Sequence, residues 1–433
     1  MNISVLTLFP ELYKPFFDAS LIKKAQEKGL VSCHTNNLLS YAPPKSRVDD
    51  TTFGHNAGML IKPEIIDQAV TAGETALGTA YKIILSPQGK VMTQPRLQEL
   101  YERIKDQKHI MLIASRYEGL DARVESHYAD ELVSVGNFVV MGGDIPAMLL
   151  IEGLLRFVPG IVGKEESVQL DSFSGAFVDY PEYTRPIVWK GVTVPEIIRS
   201  GNHAAIESWR QEQAAQLTVK KHFNWLRSVS TTQAERTLVK KYIPHHYVAL
   251  MHNDMMLKEG RIGPTSVTSI DIHDIARSST TYGLKNFFVV TNLKDQQKMV
   301  QKMLSFWVDE KIGGDYNNKR HHAVLSVRLE NELDDVIMAI EKKEGKKPLI
   351  IGTSARQQDA QQAITYFDQE IVWQHDRPVL FLFGTGSGMS EKLLQRCDYM
   401  LPPLQSYYDF NHLSVRSAVA IILDKWLGVA LQK

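Results

Sequence analysis

The sequence predicts an α/β protein with two domains, each built on a mostly parallel sheet. Short β-branched runs alternate with longer amphipathic stretches in both halves of the chain, which is the pattern of βαβ units. The length of 433 residues favours two or three domains, at about 150 residues for each domain. Hydrophobic residues make up 44% and charged residues 23%, which excludes disorder, collagen and coiled coil as the main organisation.

Charge and cysteine content exclude several classes of protein and indicate the compartment. Basic and acidic residues each number 49, and this zero net charge excludes a uniformly basic nucleic-acid coat. The two cysteines are far apart in sequence, so they form neither a disulfide framework nor a four-ligand zinc site, and we expect a reducing, cytoplasmic compartment. The N-terminus lacks a positive n-region, and polar residues interrupt the apolar run 138–155, so we expect neither a signal peptide nor a membrane span.

The strands predicted in the first half end in turns that contain glycine. The predicted strands are 1–10, 83–85, 109–114, 131–135 and 138–141, and the turns are 86–89, 115–119, 136 and 142–143. Turns that follow parallel strands lie at the carboxyl edge of the sheet, where open α/β sheets bind ligands. Neither a Walker A pattern nor a strict G-x-G-x-x-G is present, which argues against a P-loop or an ordinary dinucleotide site.

A basic, helical segment follows. The pattern becomes helical from about Thr193 to Arg227, and residues 185–241 contain ten basic residues against four acidic ones, an excess of six. Two interpretations stay open, a solvated helical face and a nucleic-acid surface. The polar stretch 228–233 is where we expect a linker to begin.

The second half repeats the α/β pattern. Its predicted strands are 247–251, 287–290, 323–327, 348–351 and 379–383, and the last one opens into the glycine-rich loop 384–388. Two histidine pairs, His245-His246 and His321-His322, suggest a metal site at first sight. Adjacent side chains on a strand point to opposite faces, so we expect surface or loop histidines and no metal site.

Several segments of the first half resemble a known family. They are L-S-P-Q-G (85–89), R-Y-E-G-L-D (116–121), G-G-D-I-P-A-M (142–148), D-Y-P-E-Y-T-R-P (179–186), V-P-E (194–196) and S-G-N-H (200–203). In this order, they resemble the signature segments of the TrmD family of bacterial tRNA (guanine-N(1))-methyltransferases, which belong to the SPOUT class. The resemblance extends from Met1 to about Arg227.

The resemblance implies a fold and a cofactor that periodicity does not reveal. It implies a sheet whose chain forms a trefoil knot, with S-adenosylmethionine bound at the strand-end loops. The corresponding cofactor-binding positions are Ser86, Pro87, Ser115, Tyr117, Glu118, Gly119, Val135, Gly136, Asn137, Phe138, Val139, Val140, Gly142, Gly143 and Pro146. Ser115 departs from the glycine usual in the family, and we expect only a local adjustment there.

The resemblance also implies the catalytic residues. Asp171 corresponds to the general base that removes the proton from ring nitrogen 1 of guanine, and Arg156 to the residue that offsets charge on O6. From the residue types alone, Asp171 is equally suited to capping a helix or turn, and Arg156 to a surface position with a buried stem. Mg²⁺ is implied by the family, although no cluster in the sequence itself demands a metal ion.

The family methylates guanosine 37 of tRNA as a homodimer, so tRNA and a second copy of the chain are the implied partners. We expect a SPOUT domain over 1–165, a helical tRNA-binding domain over 166–230, a linker over 231–245 and a second SPOUT domain over 246–433.

The second half resembles another group of enzymes. Its Gly loop, the Pro-containing stretch 399–403 and the segment 411–420 are similar to the C-terminal knot of SpoU-type RNA methyltransferases, and more narrowly to an uncharacterised family of S-adenosylmethionine-dependent RNA methyltransferases. The implied cofactor contacts are Thr353, Ser354, Gly384, Gly388, Leu401, Leu413 and Ser414, and Arg277 corresponds to a substrate-side arginine. Thr385-Gly386 replace a typical glutamate, so a non-catalytic RNA-binding or dimerisation module is the alternative.

Overall fold

The computed structural model describes residues 1–54, 57–162, 171–308, 315–357 and 362–429. The chain divides into two compact units, Met1–Gly175 and Ala176–Lys433. The domain boundary expected at 165/166 lies outside the described residues, and the other domain boundaries stay predictions. Within the described residues, no helix is both long enough and apolar enough to cross a membrane.

The first unit contains a five-stranded parallel sheet in the order β2-β1-β6-β5-β7. Its strands are β1 (Asn2–Thr7), β2 (Ser32–Asn37), β3 (Asp49–Thr51), β4 (Met59–Ile61), β5 (Tyr81–Val91), β6 (His109–Ile113) and β7 (Glu131–Ser134), of which β3 and β4 form a separate antiparallel pair. Its helices are α1 (Tyr13–Phe17), α2 (Ser20–Glu27), α3 (Pro63–Leu77), α4 (Gln94–Ile104), α5 (Ala122–Tyr128) and α6 (Asp144–Leu155).

Helices cover both faces of this sheet, which explains why its central strands are apolar throughout. Alternate residues of a strand point to opposite faces. Val5 and Leu112 therefore pack with α1, α2, α4 and α6, whereas Leu6 and Ile113 pack with α3 and α5. The loops after β5, β6 and β7 lie at the carboxyl edge of this buried sheet.

The second unit contains a six-stranded parallel sheet in the order β14-β13-β10-β16-β15-β17. Its strands are β8 (Val188–Trp189), β9 (Val192–Thr193), β10 (His246–Met251), β11 (Met255–Met256), β12 (Ile262–Gly263), β13 (Asn286–Val290), β14 (Val327–Glu330), β15 (Leu349–Gly352), β16 (Val379–Gly384) and β17 (Tyr399–Met400). Without β14, the strand order is the one found in the first unit, so the two halves share one sheet topology.

The helices of the second unit include the basic segment. They are α7 (Glu196–Arg199), α8 (His203–Lys221), α9 (Phe223–Leu226), α10 (Gln233–Tyr242), α11 (Ser269–Thr281), α12 (Lys294–Val308), α13 (Asp315–Val324), α14 (Leu333–Glu344), α15 (Gln369–Trp373), α16 (Glu391–Leu394) and α17 (Val415–Leu427). Val219 of α8 and Phe223 and Leu226 of α9 belong to the same buried cluster as strands β10, β13 and β16. The stretch expected as a linker contains α10, which starts with a capping box between Thr232 and Glu235.

Two predicted strands are wrong. Residues 138–141 form no strand, and their apolar side chains are exposed. Residues 323 and 324 end α13, so that only Val327 of the run 323–327 belongs to a strand. In both places a β-branched run met the strand pattern, but the first is a surface loop and the second a buried helix end. Such short runs do not distinguish these structures by periodicity alone.

Candidate active site

The loop after the buried half of β5 projects from the edge of the sheet. Leu85 and Lys90 both align with Val133 of β7, so residues 86–89 form a bulge between them. A Cβ atom on Gly89 would lie 2.6 Å from the backbone of Leu132 and Val133, closer than real contacts allow. Glycine at this position therefore lets Ser86 and Pro87 stand out as an open loop beside β7.

The loop after β6 contacts the start of α6 through backbone atoms. Gly143 donates its N–H to the carbonyl oxygen of Ser115 at 2.7 Å. A Cβ atom on Gly143 would lie 2.9 Å from both Ala114 Cα and Ser115 N, so this close approach requires glycine. Ser115 uses its backbone in this contact, and the loop continues through Tyr117 and Gly119, both with positive φ.

The buried carboxylate of Asp144 connects the loop after β6 to neighbouring elements through hydrogen bonds. Asp144, the first residue of α6, is fully buried and accepts hydrogen bonds from Thr7 Oγ1 at 2.5 Å, Tyr13 OH at 3.1 Å and Arg116 Nε at 2.8 Å. Burial and the neighbouring carboxylate raise the pKa of Tyr13, so its hydroxyl stays a donor. The guanidinium of Arg116 also lies over the ring of Phe9 at 4.6 Å. The Asp144 network thus ties together β1, the β6 loop and α6.

The loop after β7 turns sharply and then exposes an apolar surface. Ser134 Oγ donates to the carbonyl oxygen of Gly136 at 3.0 Å, and a Cβ atom on Gly136 would overlap the Phe138 ring. Phe138, Val139 and Met141 are exposed. Ile145 and Leu149 of α6 are exposed as well, and we call the exposed side chains of Phe138, Val139, Met141, Ile145 and Leu149 the aliphatic patch, after its four members without a ring.

The two candidate catalytic residues form an ion pair. Arg156 follows the last residue of α6, and its Nη2 contacts Asp171 Oδ2. Both side chains are accessible, with 45% of Arg156 and 27% of Asp171 exposed. The chain therefore places an oxygen acceptor beside a cationic donor, as proton removal from a base and stabilisation of the resulting anion require.

The second unit has its own cleft, with a volume of about 980 Å³. Thr353, Ser354, Gly384, Gly388, Leu413 and Ser414 line it, as expected from their positions at strand and helix ends. Leu401 is buried beside it, where its N–H bonds to the carbonyl oxygen of Gly352 at 3.0 Å. The cleft has the size of small-molecule sites.

Hydroxyl groups occupy the floor of this cleft where the resemblance expected a glutamate. Thr385 Oγ1 lies 2.5 Å from Thr265 Oγ1 and donates to the carbonyl oxygen of Met251 at 3.0 Å. Thr265 Oγ1 also lies 3.1 Å from Nδ1 of the buried His252. Burial lowers the pKa of His252 to about 4, so this ring is neutral at pH 7. Thr385 is thus a fixed hydroxyl.

Arg416 brings charge to one wall of the same cleft. Its guanidinium contacts Asp271 Oδ1 at 3.2 Å and Asp274 Oδ2 at 3.6 Å. Arg277, expected on the substrate side, is exposed on α11. Among the described residues, no three His, Cys, Asp or Glu side chains come together to hold a metal ion. The described residues therefore present no such ligand set for the Mg²⁺ that the family resemblance implies.

Each half of the chain matches the sequence model of a known protein family. The sequence model of the family described as tRNA (Guanine-1)-methyltransferase TrmD matches residues 1–228, more than half of the chain. The chain belongs to the TrmD family. A second model, described as SAM-dependent RNA methyltransferase, matches residues 245–428. The TrmD resemblance and the second-half resemblance are both confirmed, and the chain is a methyltransferase.

Members of the TrmD family resemble the chain at two different lengths. The tRNA (guanine-N(1)-)-methyltransferase of Nitratidesulfovibrio vulgaris is 37% identical over 99% of both chains, and that of Oleidesulfovibrio alaskensis is 36% identical over the full length of both. That of Thermus thermophilus is 41% identical, over 51% of this chain and 89% of its own length. The two-part architecture therefore occurs in relatives too.

The structure brings the predicted TrmD-type cofactor positions together in part. Ser115 and Gly143 are in direct contact, and Pro146 is buried in α6 behind them. Glu118 donates its N–H to the carbonyl oxygen of Met59, which fixes the β6 loop on β4. Residues 135–140 follow β7, whereas Ser86 and Pro87 lie in the bulge of β5. The roles of Thr7, Tyr13 and Asp144 were not predicted from the sequence. The one signal for them was Asp144 itself, an acidic residue at the start of an apolar helix.

Proposed function

We propose that the first unit methylates ring nitrogen 1 of guanosine 37 in tRNA, with Asp171 as general base and Arg156 on guanine O6. The observation that carries this proposal is the Arg156–Asp171 ion pair, which supplies both groups at one place. S-adenosylmethionine, when bound, supplies the methyl group as a sulfonium. The close approaches at Gly89 and Gly143 support cofactor binding, because they shape loops 86–89 and 115–119 at the carboxyl edge of the sheet, where open α/β sheets bind ligands.

The chemistry follows from the two side chains. The N1–H bond of guanine breaks as its proton passes to Asp171 Oδ, while N1 forms the bond to the methyl carbon and the carbon–sulfur bond breaks. Negative charge that develops on guanine O6 is stabilised by the guanidinium of Arg156. Guanine binding must therefore separate or bridge the resting ion pair, and both side chains are exposed enough to move.

We infer that the basic segment holds tRNA. Some of its ten basic residues have structural roles, since Arg227 donates to three backbone carbonyls, Lys241 pairs with Glu212 and Arg210 lies over the Tyr180 ring at 4.8 Å. Lys190, on the exposed turn between β8 and β9, and Lys220 at the end of α8 are suited to phosphate contacts. The slope of log affinity against log salt counts these contacts, at roughly 0.9 for each phosphate on a duplex.

We also infer a homodimer, with the aliphatic patch as its contact surface. Phe138, Val139, Met141, Ile145 and Leu149 are exposed and close in sequence, and clustered apolar surface of this kind marks an interaction site. Sedimentation of the Val139→Asp variant tests this inference, and we expect it to run as a monomer. We place the enzyme in the cytoplasm, where its tRNA substrate and its two free, partly buried thiols fit a reducing medium.

For the second unit, we propose binding of S-adenosylmethionine in its cleft and methylation of an RNA. The support is the size of the cleft, its lining by the predicted residues and the match to the RNA methyltransferase family. The alternative, an RNA-binding or dimerisation module without chemistry, is favoured by one observation: Thr385 is held by two hydrogen bonds where a glutamate would act.

One experiment tests the first proposal. Unmodified tRNA transcript is incubated with labelled S-adenosylmethionine and the full chain, and the methylated nucleoside is mapped by mass spectrometry. We expect 1-methylguanosine at position 37 and loss of at least 100-fold in kcat for Asp171→Asn, because general-base catalysis contributes about 10²–10⁴-fold. A transcript with adenosine at position 37 is the control. Unchanged activity of Asp171→Asn contradicts the assignment of the base.

A further inference from the structure

A loop of exposed aromatic residues borders the cleft of the second unit. Tyr407 is fully exposed, and 83% of Tyr408 and 80% of Phe410 are exposed. We call residues 405–412 the aromatic loop. Three large aromatic side chains in four positions leave much apolar surface in water, and exposed apolar surface of this kind marks interaction sites.

The aromatic loop is tied to the cleft at both of its ends. Gln405 before the aromatic residues and Asn411 and His412 after them line the cleft. Asn411 Nδ2 donates to the carbonyl oxygen of Ala355 at 2.9 Å, which joins the loop to the segment that follows β15. Residues 406–410 therefore lie between lining positions, at the mouth of the cleft, although the three aromatic side chains do not themselves line it.

The chemistry around the mouth matches a polar, anionic chain with planar groups. Arg356 lines the cleft and is exposed, and its N–H contact to Ser354 Oγ at 3.0 Å involves only the backbone. Arg416 also lies on the wall, but Asp271 and Asp274 pair with its guanidinium, so Arg356 is the cation placed to face a phosphate. Exposed aromatic rings next to cations are the combination that binds single-stranded nucleic acid, in which rings stack on bases and cations face phosphates.

We propose that the aromatic loop is a stacking platform for unpaired bases of single-stranded RNA and presents one nucleoside to the cleft. This inference rests on the RNA methyltransferase function proposed for the second unit and names its substrate class as an unpaired RNA segment. A second copy of the chain is the other occupant to consider. The aliphatic patch of the first unit has the composition of such a contact, whereas the loop combines Tyr, Phe, His, Asn and Gln, whose rings and amides suit bases, with Ser406 and one acidic residue, Asp409.

The test uses the full chain and a fluorescent oligonucleotide. The probe is a nonamer of uridines with 2-aminopurine at its centre, whose fluorescence falls when the base stacks on a ring. We expect quenching on binding, and roughly 10-fold weaker binding for each stacked base that is lost in Tyr407→Leu, Tyr408→Leu and Phe410→Leu. The matched variants Tyr407→Phe and Tyr408→Phe keep the ring and should bind as the wild type does. Equal quenching by the leucine variants overturns the proposal.

Two further readouts separate the possible failures. If the leucine variants change the sedimentation of the chain from dimer to monomer, the loop is a subunit contact and the proposal is wrong. Methyl transfer to RNA by the Asp171→Asn chain reports on the second unit without the first. If the probe is quenched but no methyl group is transferred, base stacking on the aromatic loop is supported, and only the methyl transfer proposed for the second unit is contradicted. Thermal unfolding confirms that each variant is folded.

Discussion

At the scale of single residues, the Asp144 network shows how a non-catalytic carboxylate can decide the geometry of a site. Asp144 accepts from Thr7, Tyr13 and Arg116, which come from three different parts of the chain. Removing one partner of a buried ion pair leaves an uncompensated charge, and this costs about 3–5 kcal/mol. Since Arg116 is partly exposed, we expect the lower end of that range for Arg116→Met.

A variant of Thr7 tests how the Asp144 network affects the stability of the fold and the binding of the cofactor. For Thr7→Val, which removes the donor to Asp144 and the acceptor of the Phe9 N–H, we expect a loss of about 1–2 kcal/mol in the free energy of unfolding and weaker S-adenosylmethionine binding. Urea unfolding and isothermal titration calorimetry measure the two effects. Ser126→Ala is a matched control, because its hydroxyl bonds only to a carbonyl within its own helix. Equal losses in both variants would contradict a special role of the network.

Two buried histidines make the second unit sensitive to acid. His246 accepts from Trp426 Nε1 at 3.1 Å and His252 contacts Thr265, and burial lowers the pKa of each to about 4. Unfolded histidines have a pKa near 6.5, so between pH 6.5 and 4 the unfolded state binds more protons and folding stability falls as the pH falls. Above pH 6.5 this contribution is fully present.

We therefore expect a loss of about 2 kcal/mol for each of the two histidines between pH 7 and pH 5. All six tryptophans lie in the second unit, so tryptophan fluorescence during urea unfolding reports on this unit alone. The pH dependence should be weaker in His252→Gln and unchanged in His322→Gln, whose histidine is exposed. A wild-type stability that does not change over this range would contradict the burial of neutral histidines.

At the scale of elements, the start of α6 depends on glycine, and its middle does not. A Cβ atom on Gly143 would meet the backbone of Ala114 and Ser115, whereas a Cβ atom on Gly153 would meet only the mobile end of Leu97. For Gly143→Ala we expect at least a 10-fold loss of S-adenosylmethionine affinity, because the β6 loop must move. For Gly153→Ala we expect affinity close to the wild type. Calorimetry with both variants checks this, and equal affinities would contradict the role of the close approach.

Elements were predicted best where burial and sequence pattern agree. β1, β6, β10, β13 and β16 lie where apolar runs predicted strands, since both faces of a parallel sheet are buried. Residues 138–141 form a similar apolar run but no strand, because their side chains are exposed on a surface loop. His246 and His321 were expected at the surface and are buried, and His321 Nδ1 contacts the carbonyl oxygen of Trp307. Contacts between separate segments, such as the ion pair of Arg156 with Asp171, cannot be predicted from the spacing of the residues in the sequence, because they depend on how the chain folds.

At the scale of the whole molecule, the basic segment and the C-terminal half form one folded unit. Arg227 donates to the carbonyl oxygens of Asp424, Lys425 and Gly428 at the end of α17. Burial lowers the pKa of Arg227, but these carbonyls satisfy its donors. Phe223 stacks edge-on against Trp373 at 4.6 Å. The helices assigned to tRNA binding are thus supported by the half that follows them.

This arrangement predicts that a change far from both sites weakens tRNA binding. In the full chain, Arg227→Ala should loosen α8 and α9, raise the KM for tRNA several-fold and leave S-adenosylmethionine affinity unchanged. Hydrogen exchange of residues 203–226 should become faster, which a mere loss of charge would not cause. Arg236→Ala removes the same charge from an exposed position on α10, where its Nε contacts only Thr231 Oγ1 at 3.2 Å, and serves as the control. If both variants raise KM equally without faster exchange, charge alone acts and the support by α17 has no part in tRNA binding.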